Sequence, residues 1–371
     1  MQEVDKKLLS TREQLQITRK RFWRQRRVLF QLTERNFPEL EAGPQMKLMR
    51  SRCVSIETGL PIRCLDEYES LEQVHRSSRG MAVWTAKRGG VTVGLKSFPF
   101  KKLKALEREL KSLVRIQPHP SVIRYTNIVE SSDAQTLYVE MPWYHEGSAV
   151  KWMGGRDAKS GCIDTKARSP QAKRVLTLQV LQGLAQVHAA QVAHRDIKLD
   201  NILVANQGTS AILADFEIAK QQEMSVSATT TTAASGSLRY MAPELFGHVG
   251  AQLDIAAMQR ADMYSFGATL HELHFGSSPE PNHRYISSSM LPVNDDVGDH
   301  LRSLIAAMLH ADPSERPTAS EALEFEYFKR PLTTAKKECA ICLSDILAEN
   351  GVSCCAKTHF YCNDCLTVRC N

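Results

Sequence analysis

The sequence predicts an α+β chain in which a small, mainly β lobe leads into a large helical lobe. A helical segment precedes the two lobes and a small cysteine-rich module follows them. Two patterns set that class. Over residues 66–140 short β-rich runs alternate with one helix, and from Val175 onward apolar residues recur at helical spacing. A third sets the last part aside: seven of the ten cysteines lie between Cys339 and Cys370. At 371 residues the chain has room for a large two-lobed domain and smaller additions.

Residues 1–36 carry no Pro or Gly and are rich in Gln, Arg, Lys, Glu and Leu, which predicts a helical segment. Leu8, Leu15, Phe22 and Leu29 form one apolar row, but Thr11, Thr18 and Gln25 leave a second row polar. That pattern suits a helix packed on a neighbouring domain better than a dimeric coiled coil. The region also reads as the tail of something upstream, with Met1 not the natural start. Residues 37–65, with Pro38, Gly43, Pro44, Gly59 and Pro61, read as a linker.

The small lobe opens at about residue 66. Val91–Lys96 is a strand by its β-branched alternation, and Thr136–Met141 is another. Between them Lys101–Ile116 is a helix with Leu103, Leu106, Leu110, Leu113 and Val114 on one face. Leu176, Val180, Leu184 and Val187 mark a helix of the second lobe. Residues 154–170, polar with Gly, Ser and Pro, interrupt that lobe as a surface insertion.

Composition excludes several classes. No run approaches the ~18 apolar residues that span a bilayer, and the N-terminal region has no apolar core of a secretory signal. The net charge of +6 is partly local, since Arg19–Arg27 is densely basic. That cluster reads as a solvated helix face before a nuclear address or a site for an acidic partner. No specific nucleic acid and no membrane are expected as partners. Clustered CxxC pairs without a signal peptide read as metal ligands, which places the chain in the cytoplasm or nucleus and not among secreted proteins.

The most informative stretch is His194-Arg195-Asp196-Ile197-Lys198-Leu199-Asp200-Asn201. It holds a carboxylate, a lysine and an amide at fixed offsets, the set needed to move a phosphoryl group from ATP to a hydroxyl. Asp196 can accept the hydroxyl proton, Lys198 can neutralise charge on the transferred group, and Asn201 can hold a Mg²⁺. Asp215-Phe216-Glu217 follows, then a Thr-rich segment closed by Ala242-Pro243-Glu244, and Val93-Gly94-Leu95-Lys96 precedes them all. Four motifs in this order resemble the eukaryotic-type Ser/Thr protein kinase family, over roughly residues 66–328.

The resemblance implies a two-lobed kinase fold, with ATP and Mg²⁺ as cofactors and a protein as substrate. Lys96 takes the place of the strand lysine that holds the α- and β-phosphates, with Glu109 as its partner and Glu107 as the weaker candidate. Asp215 would join Asn201 on Mg²⁺. Val83, Met141 as gatekeeper and Tyr144 in the hinge Pro142-Trp143-Tyr144 would line the nucleotide. Lys198 and the segment Gly236–Met241 point to Ser/Thr rather than tyrosine specificity. Arg195, Asp262, Glu244 and Arg316 match structural anchors, the last two as a buried ion pair. Thr229–Thr232 and Ser235 would carry an activating phosphate able to pair with Arg195.

Two departures stand out. The nucleotide-covering loop expected as G-x-G-x-x-G-x-V reads Arg76-Ser77-Ser78-Arg79-Gly80-Met81-Ala82-Val83, with none of the three glycine positions kept. Glu217 stands where the metal motif ends in glycine, and reads either as an extra Mg²⁺ ligand or as a side chain that locks the loop. Both predict weak activity and leave an alternative: a pseudokinase scaffold coupled to a RING-type ubiquitin ligase module. Cys339, Cys342, Cys355 (or Cys354), His359, Cys362, Cys365 and Cys370 resemble such a finger over residues 329–371. In that pattern Cys339, Cys342, Cys362 and Cys365 share one Zn²⁺. Cys355, His359 and Cys370 belong to the second, whose last ligand would lie past Asn371. A ubiquitin-conjugating enzyme is the partner this implies.

Overall fold

The computed structural model describes residues 58–76, 81–99, 102–131, 136–221, 237–245, 254–279, 291–292 and 298–329, with short stretches between 336 and 362. The expected helix over 1–36, most of the linker and the hydroxyl-rich run Thr229–Ser235 lie outside these residues.

The small lobe is one six-stranded sheet in the order β1-β5-β6-β4-β3-β2. Its strands are β1 (Ile62–Cys64), β2 (Glu69–Arg76), β3 (Ala82–Arg88), β4 (Val91–Pro99), β5 (Asn127–Glu130) and β6 (Thr136–Pro142). All neighbours are antiparallel except β1, which pairs in parallel with β5. Residues 62–64, at the end of the expected linker, are therefore built into the sheet. The turn Gly89-Gly90 between β3 and β4 has positive φ at both positions, the conformation glycine adopts without steric cost.

Helix α1 (Leu103–Arg115) packs on the sheet through Leu103, Leu106 and Leu110, with Leu113 partly buried beside them, while Val114, expected on the same face, faces solvent because the helix turns it to the outer side. Glu109 lies on the same buried face. A carboxylate there has to be paired, because an unpaired charge in an apolar environment is costly. Tyr68, Ala86, Val93, Leu95 and Val129 form a separate cluster within the sheet lobe.

The helical lobe is organised around α3 (Pro170–Ala189) and α4 (Ile255–Phe275), after β7 (Gly147–Ser148) and the single turn α2 (Ala149–Trp152). The Ser169 hydroxyl caps α3 by accepting from the Ala172 N–H, with Pro170 at its first turn. Its expected stripe of Leu176, Val180, Leu184 and Val187 is buried. Gly183 lets α3 approach the chain at Ser121: a Cβ there would lie 2.6 Å from the Ser121 carbonyl oxygen. Helix α4 is buried almost all round, starts at the Asp254 cap and stops at Gly276 with φ 91°. Its Phe266, Leu270 and Leu273 join a core continuous with that under the sheet. Helices α5 (Asp299–Met308), α6 (Ala319–Ala322) and α7 (Glu326–Lys329) complete this lobe.

Between α3 and α4 the chain forms β8 (Val192–Ala193), β9 (Ile202–Ala205), β10 (Ser210–Leu213) and β11 (Lys220–Gln221). Hairpin β9–β10 sets Asn201 just before its first strand and Ala214 just after its second, joined by Ala214 N–H donation to the Asn201 carbonyl at 2.9 Å. Two further hairpins, β12 (Lys336–Glu338) with β13 (Asp345–Leu347) and β14 (Gly351–Ser353) with β15 (Phe360–Cys362), lie in the cysteine-rich region. No helix among the described residues is long and apolar enough to cross a membrane.

Candidate active site

Sheet register assembles the upper half of the site. Val83 on β3 lies directly across from Lys96 on β4, and Gly94 on β4 lies across from Met141 on β6. Met141 is buried, and Tyr144 just beyond it turns the hinge by accepting the Gly147 N–H at 3.0 Å. Burial pushes the Tyr144 phenol up to about 12.

The Lys96 ammonium is the electrostatic centre. It lies 2.9 Å from Glu109, 3.0 Å from Asp215 and 3.2 Å from Glu217. Burial alone would favour its neutral form, but Asp215 and Glu109 outweigh that and hold the ammonium well above its ordinary pKa. Glu109 is fully buried and also accepts a 2.5 Å hydrogen bond from the Tyr125 hydroxyl. Of the two glutamates considered, Glu109 makes the contact across a sequence separation of 13.

Glu217 answers the question its position raised. Its backbone is not in the left-handed region, which belongs instead to Asp215 at φ 68°. Glutamate at 217 therefore carries no strain that glycine would relieve. Its side chain is 4% exposed and turns onto Lys96, while Arg108 donates to its carbonyl at 3.2 Å. Burial, opposed by Lys96 and reinforced by Asp215 and Glu109, pushes its carboxyl up to about 7. Glu109, Asp215 and Glu217 each offer an oxygen within 4.8 Å of the others.

The lower half is the loop 194–201. Asp262 of α4 accepts the backbone N–H groups of His194 and Arg195, both at 2.7 Å, and contacts His188 Nε2 at 3.0 Å. Those bonds hold Arg195 at φ 72°, a conformation that costs about 1–3 kcal/mol without such support. The Arg195 side chain reaches the Ile218 carbonyl, tying this loop to the segment after Asp215. His194 Nε2 lies 3.0 Å from the Ala214 carbonyl, so it donates, and Nδ1 accepts the Asp196 N–H at 3.3 Å. Burial depresses the His194 pKa, which suits this neutral tautomer.

Asp196 is 5% exposed, and both its oxygens receive Lys198 Nζ at 2.9 Å. Asn201 Nδ2 donates to the Asp196 carbonyl at 2.7 Å and to its carboxylate at 3.0 Å. With Nδ2 so engaged, Oδ1 is the metal-binding atom Asn201 has left. An amide oxygen here and a carboxylate at Asp215 are the hard donors Mg²⁺ takes, so the residues fit that ion. Deeper in the lobe, fully buried Arg316 grips Glu244 with a two-pronged pair at 2.7 and 2.8 Å.

The structure thus gathers Lys96, Glu109, Asp215 and Glu217 in one cluster and Asp196, Lys198 and Asn201 in a second. His194 and the hairpin β9–β10 join the two. Sequence reasoning missed Tyr125, Arg108 and Arg156. None sits in a recognisable motif, and only the fold brings them to the loops they contact. The zinc candidates Cys339, Cys342, Cys355, His359, Cys365 and Cys370 lie outside the described residues. Of Cys362 the backbone alone is described, in β15.

Comparison with known proteins finds the protein kinase family over most of this domain. The protein kinase domain family model matches residues 85–328. The chain is 28% identical over 246 residues to mitogen-activated protein kinase kinase kinase 2 of Arabidopsis thaliana, covering 64% of this chain and 34% of that one. It is 28% identical over 234 residues to CBL-interacting protein kinase 25 of rice (Oryza sativa subsp. japonica), covering 61% and 42%. A putative mitogen-activated protein kinase kinase kinase 7-like protein of Drosophila melanogaster matches at 28% over 278 residues, covering 70% and 65%. This chain belongs to the protein kinase family, and membership implies ATP and Mg²⁺. It spans well under half the length of the first two relatives, and the family match begins inside β3, beyond the stretch where the loop glycines are missing.

Proposed function

We propose that this chain is a Ser/Thr protein kinase with a domain over residues 66–328, transferring the γ-phosphoryl of ATP to hydroxyls of a protein substrate. The observation that carries the reading is the convergence of Lys96, Glu109 and Asp215 above a loop holding Asp196, Lys198 and Asn201. Glu109 sets the position of Lys96, which holds the α- and β-phosphates. Asp215 and Asn201 hold Mg²⁺, which when bound offsets charge on the phosphates. Asp196 takes the proton as the substrate oxygen forms its bond to the γ-phosphorus and the bond to the leaving ADP breaks. Lys198 balances charge as it builds on the transferred group. Val83, Met141 and Tyr144 line the adenine side. Lys198 and the segment 236–241 support Ser/Thr over tyrosine specificity.

The test is Mg²⁺-dependent phosphorylation of a mixed Ser/Thr peptide pool by wild type beside Asp196→Asn. Transfer by the wild type and its loss in a folded variant is the expected result, and equal transfer by both sinks the reading. A second reading, a kinase domain that acts as a scaffold without turnover, is favoured by one observation: Glu217 occupies Lys96. Residues 329–371 are proposed to bind Zn²⁺ as a RING-like module that recruits a ubiquitin-conjugating enzyme. The two short hairpins there are compatible with such a module.

A further inference from the structure

The segment between α2 and α3 reads in sequence as a surface insertion, yet it is built around one side chain. Arg156 and Ile163 form an antiparallel bridge. Asp157 closes the tip by accepting the N–H groups of Lys159 at 3.1 Å and Ser160 at 2.8 Å. Ile163 is buried, and its N–H donates to the Gly276 carbonyl at the end of α4 at 2.9 Å. The projection is therefore anchored at its base by Ile163 and closed on itself at its tip.

Arg156 does not point to solvent. Its Nη1 and Nη2 donate to the two oxygens of Asp200 at 2.9 and 2.8 Å, and its Nε donates to Glu272 at 2.9 Å. Nη2 also reaches the Tyr240 hydroxyl at 3.2 Å, and Tyr240 in turn donates to Glu272 at 2.6 Å. Each partner belongs to a different element. Asp200 stands between Lys198 and Asn201 in the catalytic loop. Glu272 lies one helix face along from Asp262 on α4, and Tyr240 ends the segment 237–240 ahead of Ala242-Pro243-Glu244. A cleft of about 310 Å³ opens beside them, lined by Arg156, Arg239, Tyr240, Glu272, Ser277 and Ser278.

An exposed ion pair contributes little, at most about 1 kcal/mol. This one differs because Glu272 and Tyr240 are buried and the planar fork is spent on three elements at once. We propose that Arg156 is a positioning residue for phosphoryl transfer, fixing the catalytic loop against α4 and against the segment that faces the peptide substrate. The inference rests on the kinase reading above. It assigns a catalytic consequence to the insertion: the loop that carries Asp196 and Asn201 is braced from outside the kinase motifs.

The experiment compares full-length wild type, Arg156→Ala and Arg156→Lys in peptide phosphorylation, with thermal melts and methylguanidine as a rescue agent. Arg156→Ala is expected to lower kcat about 10- to 100-fold, the scale of a catalytic group displaced by about 1 Å. Peptide KM should rise several-fold while KM for ATP stays within about twofold, and methylguanidine should restore kcat. Arg156→Lys keeps the charge without the fork and should fall between. A folded Arg156→Ala with wild-type kcat overturns the proposal. So does a loss that follows lowered melting and weakened ATP binding together, without rescue. If Arg156→Ala does not fold, Arg156→Lys decides, and unchanged kcat in it overturns the proposal. Absence of transfer by the wild type would instead fail the kinase reading itself, and this inference with it.

Discussion

Replacing Glu217 by glutamine tests the electrostatics of the Lys96 cluster directly. Among the described residues one ammonium faces three carboxylates at 2.9–3.2 Å, and there the carboxylates outnumber the cation. Glu217 bears the excess, its carboxyl pushed from the ordinary 4.5 up to about 7. A displacement of that size corresponds to about 3 kcal/mol between the two protonation states. At 4% exposure, solvent screening takes little from it. The folded-state pKa lies above the unfolded one, so this stability is fully present below pH 4.5 and is lost as pH rises through about 7. Glutamine has the same shape and cannot ionise, so the variant lacks that loss. Urea unfolding of both proteins in chelator, from pH 5 to pH 8.5, reads the effect, because titrating groups away from the cluster cancel in the difference. The variant is expected to gain on the wild type by about 2–3 kcal/mol across that range. Parallel profiles would refute the charge imbalance and with it the crowding of Lys96.

Asp215→Asn should reduce phosphoryl transfer by orders of magnitude in a folded protein, read from kcat at saturating ATP. Lys96→Met should do the same but also lower the melting temperature, because it strips buried Glu109 of its ammonium. Glu217→Gly, if Glu217 only blocks Lys96, should tighten ATP binding without altering its Mg²⁺ dependence; if Glu217 ligates Mg²⁺, that dependence should weaken in titrations of ATP affinity against Mg²⁺. Truncating Arg316 to leucine should cost about 3–5 kcal/mol in urea unfolding, since Glu244 loses its two-pronged partner in a site where the guanidinium is wholly buried. If residues 329–371 form the proposed zinc module, metal analysis of protein purified without chelator should find close to one tightly held Zn²⁺ per chain, and no Zn²⁺ would refute it.

Much of the site was legible because its chemistry is written in contiguous motifs. Asp196, Lys198 and Asn201 fall within one octamer, and their mutual bonds follow from that spacing. The partners of Lys96 were harder, since Glu109 differs from its neighbour Glu107 only in the face of α1 it occupies, and the kinase resemblance rather than the spacing favoured it. What sequence could not show was the reach of single side chains across elements. Tyr125 contacts Glu109 only once the small lobe has packed, and Arg156 contacts Asp200 only once the insertion has packed on the helical lobe. The boundary of the small lobe was set late for a similar reason: Ile62–Cys64 is too short to announce itself as a strand, and becomes one by pairing with β5.

Glu217 shows how a departure from a motif can act through side-chain charge rather than through the backbone. Glycine at the end of such a motif suggests a demand for unusual dihedrals, but here that demand falls on Asp215, two residues earlier. The backbone of 217 accepts a glutamate, and the consequence passes to Lys96. A phosphate arriving at Lys96 must then displace a carboxylate already 3.2 Å away, or that carboxylate must find another cation. Mg²⁺ brought in with the nucleotide is such a cation, and Asp215 beside it is a ligand the ion would already use. If Glu217 ligates that ion, nucleotide and metal binding are coupled through one side chain, and the carboxylate that crowds Lys96 without metal would leave it free for phosphate with metal bound. That coupling predicts weak transfer at low Mg²⁺ and recovery at high Mg²⁺ in wild type, and the same Mg²⁺ dependence in Glu217→Gln would refute it.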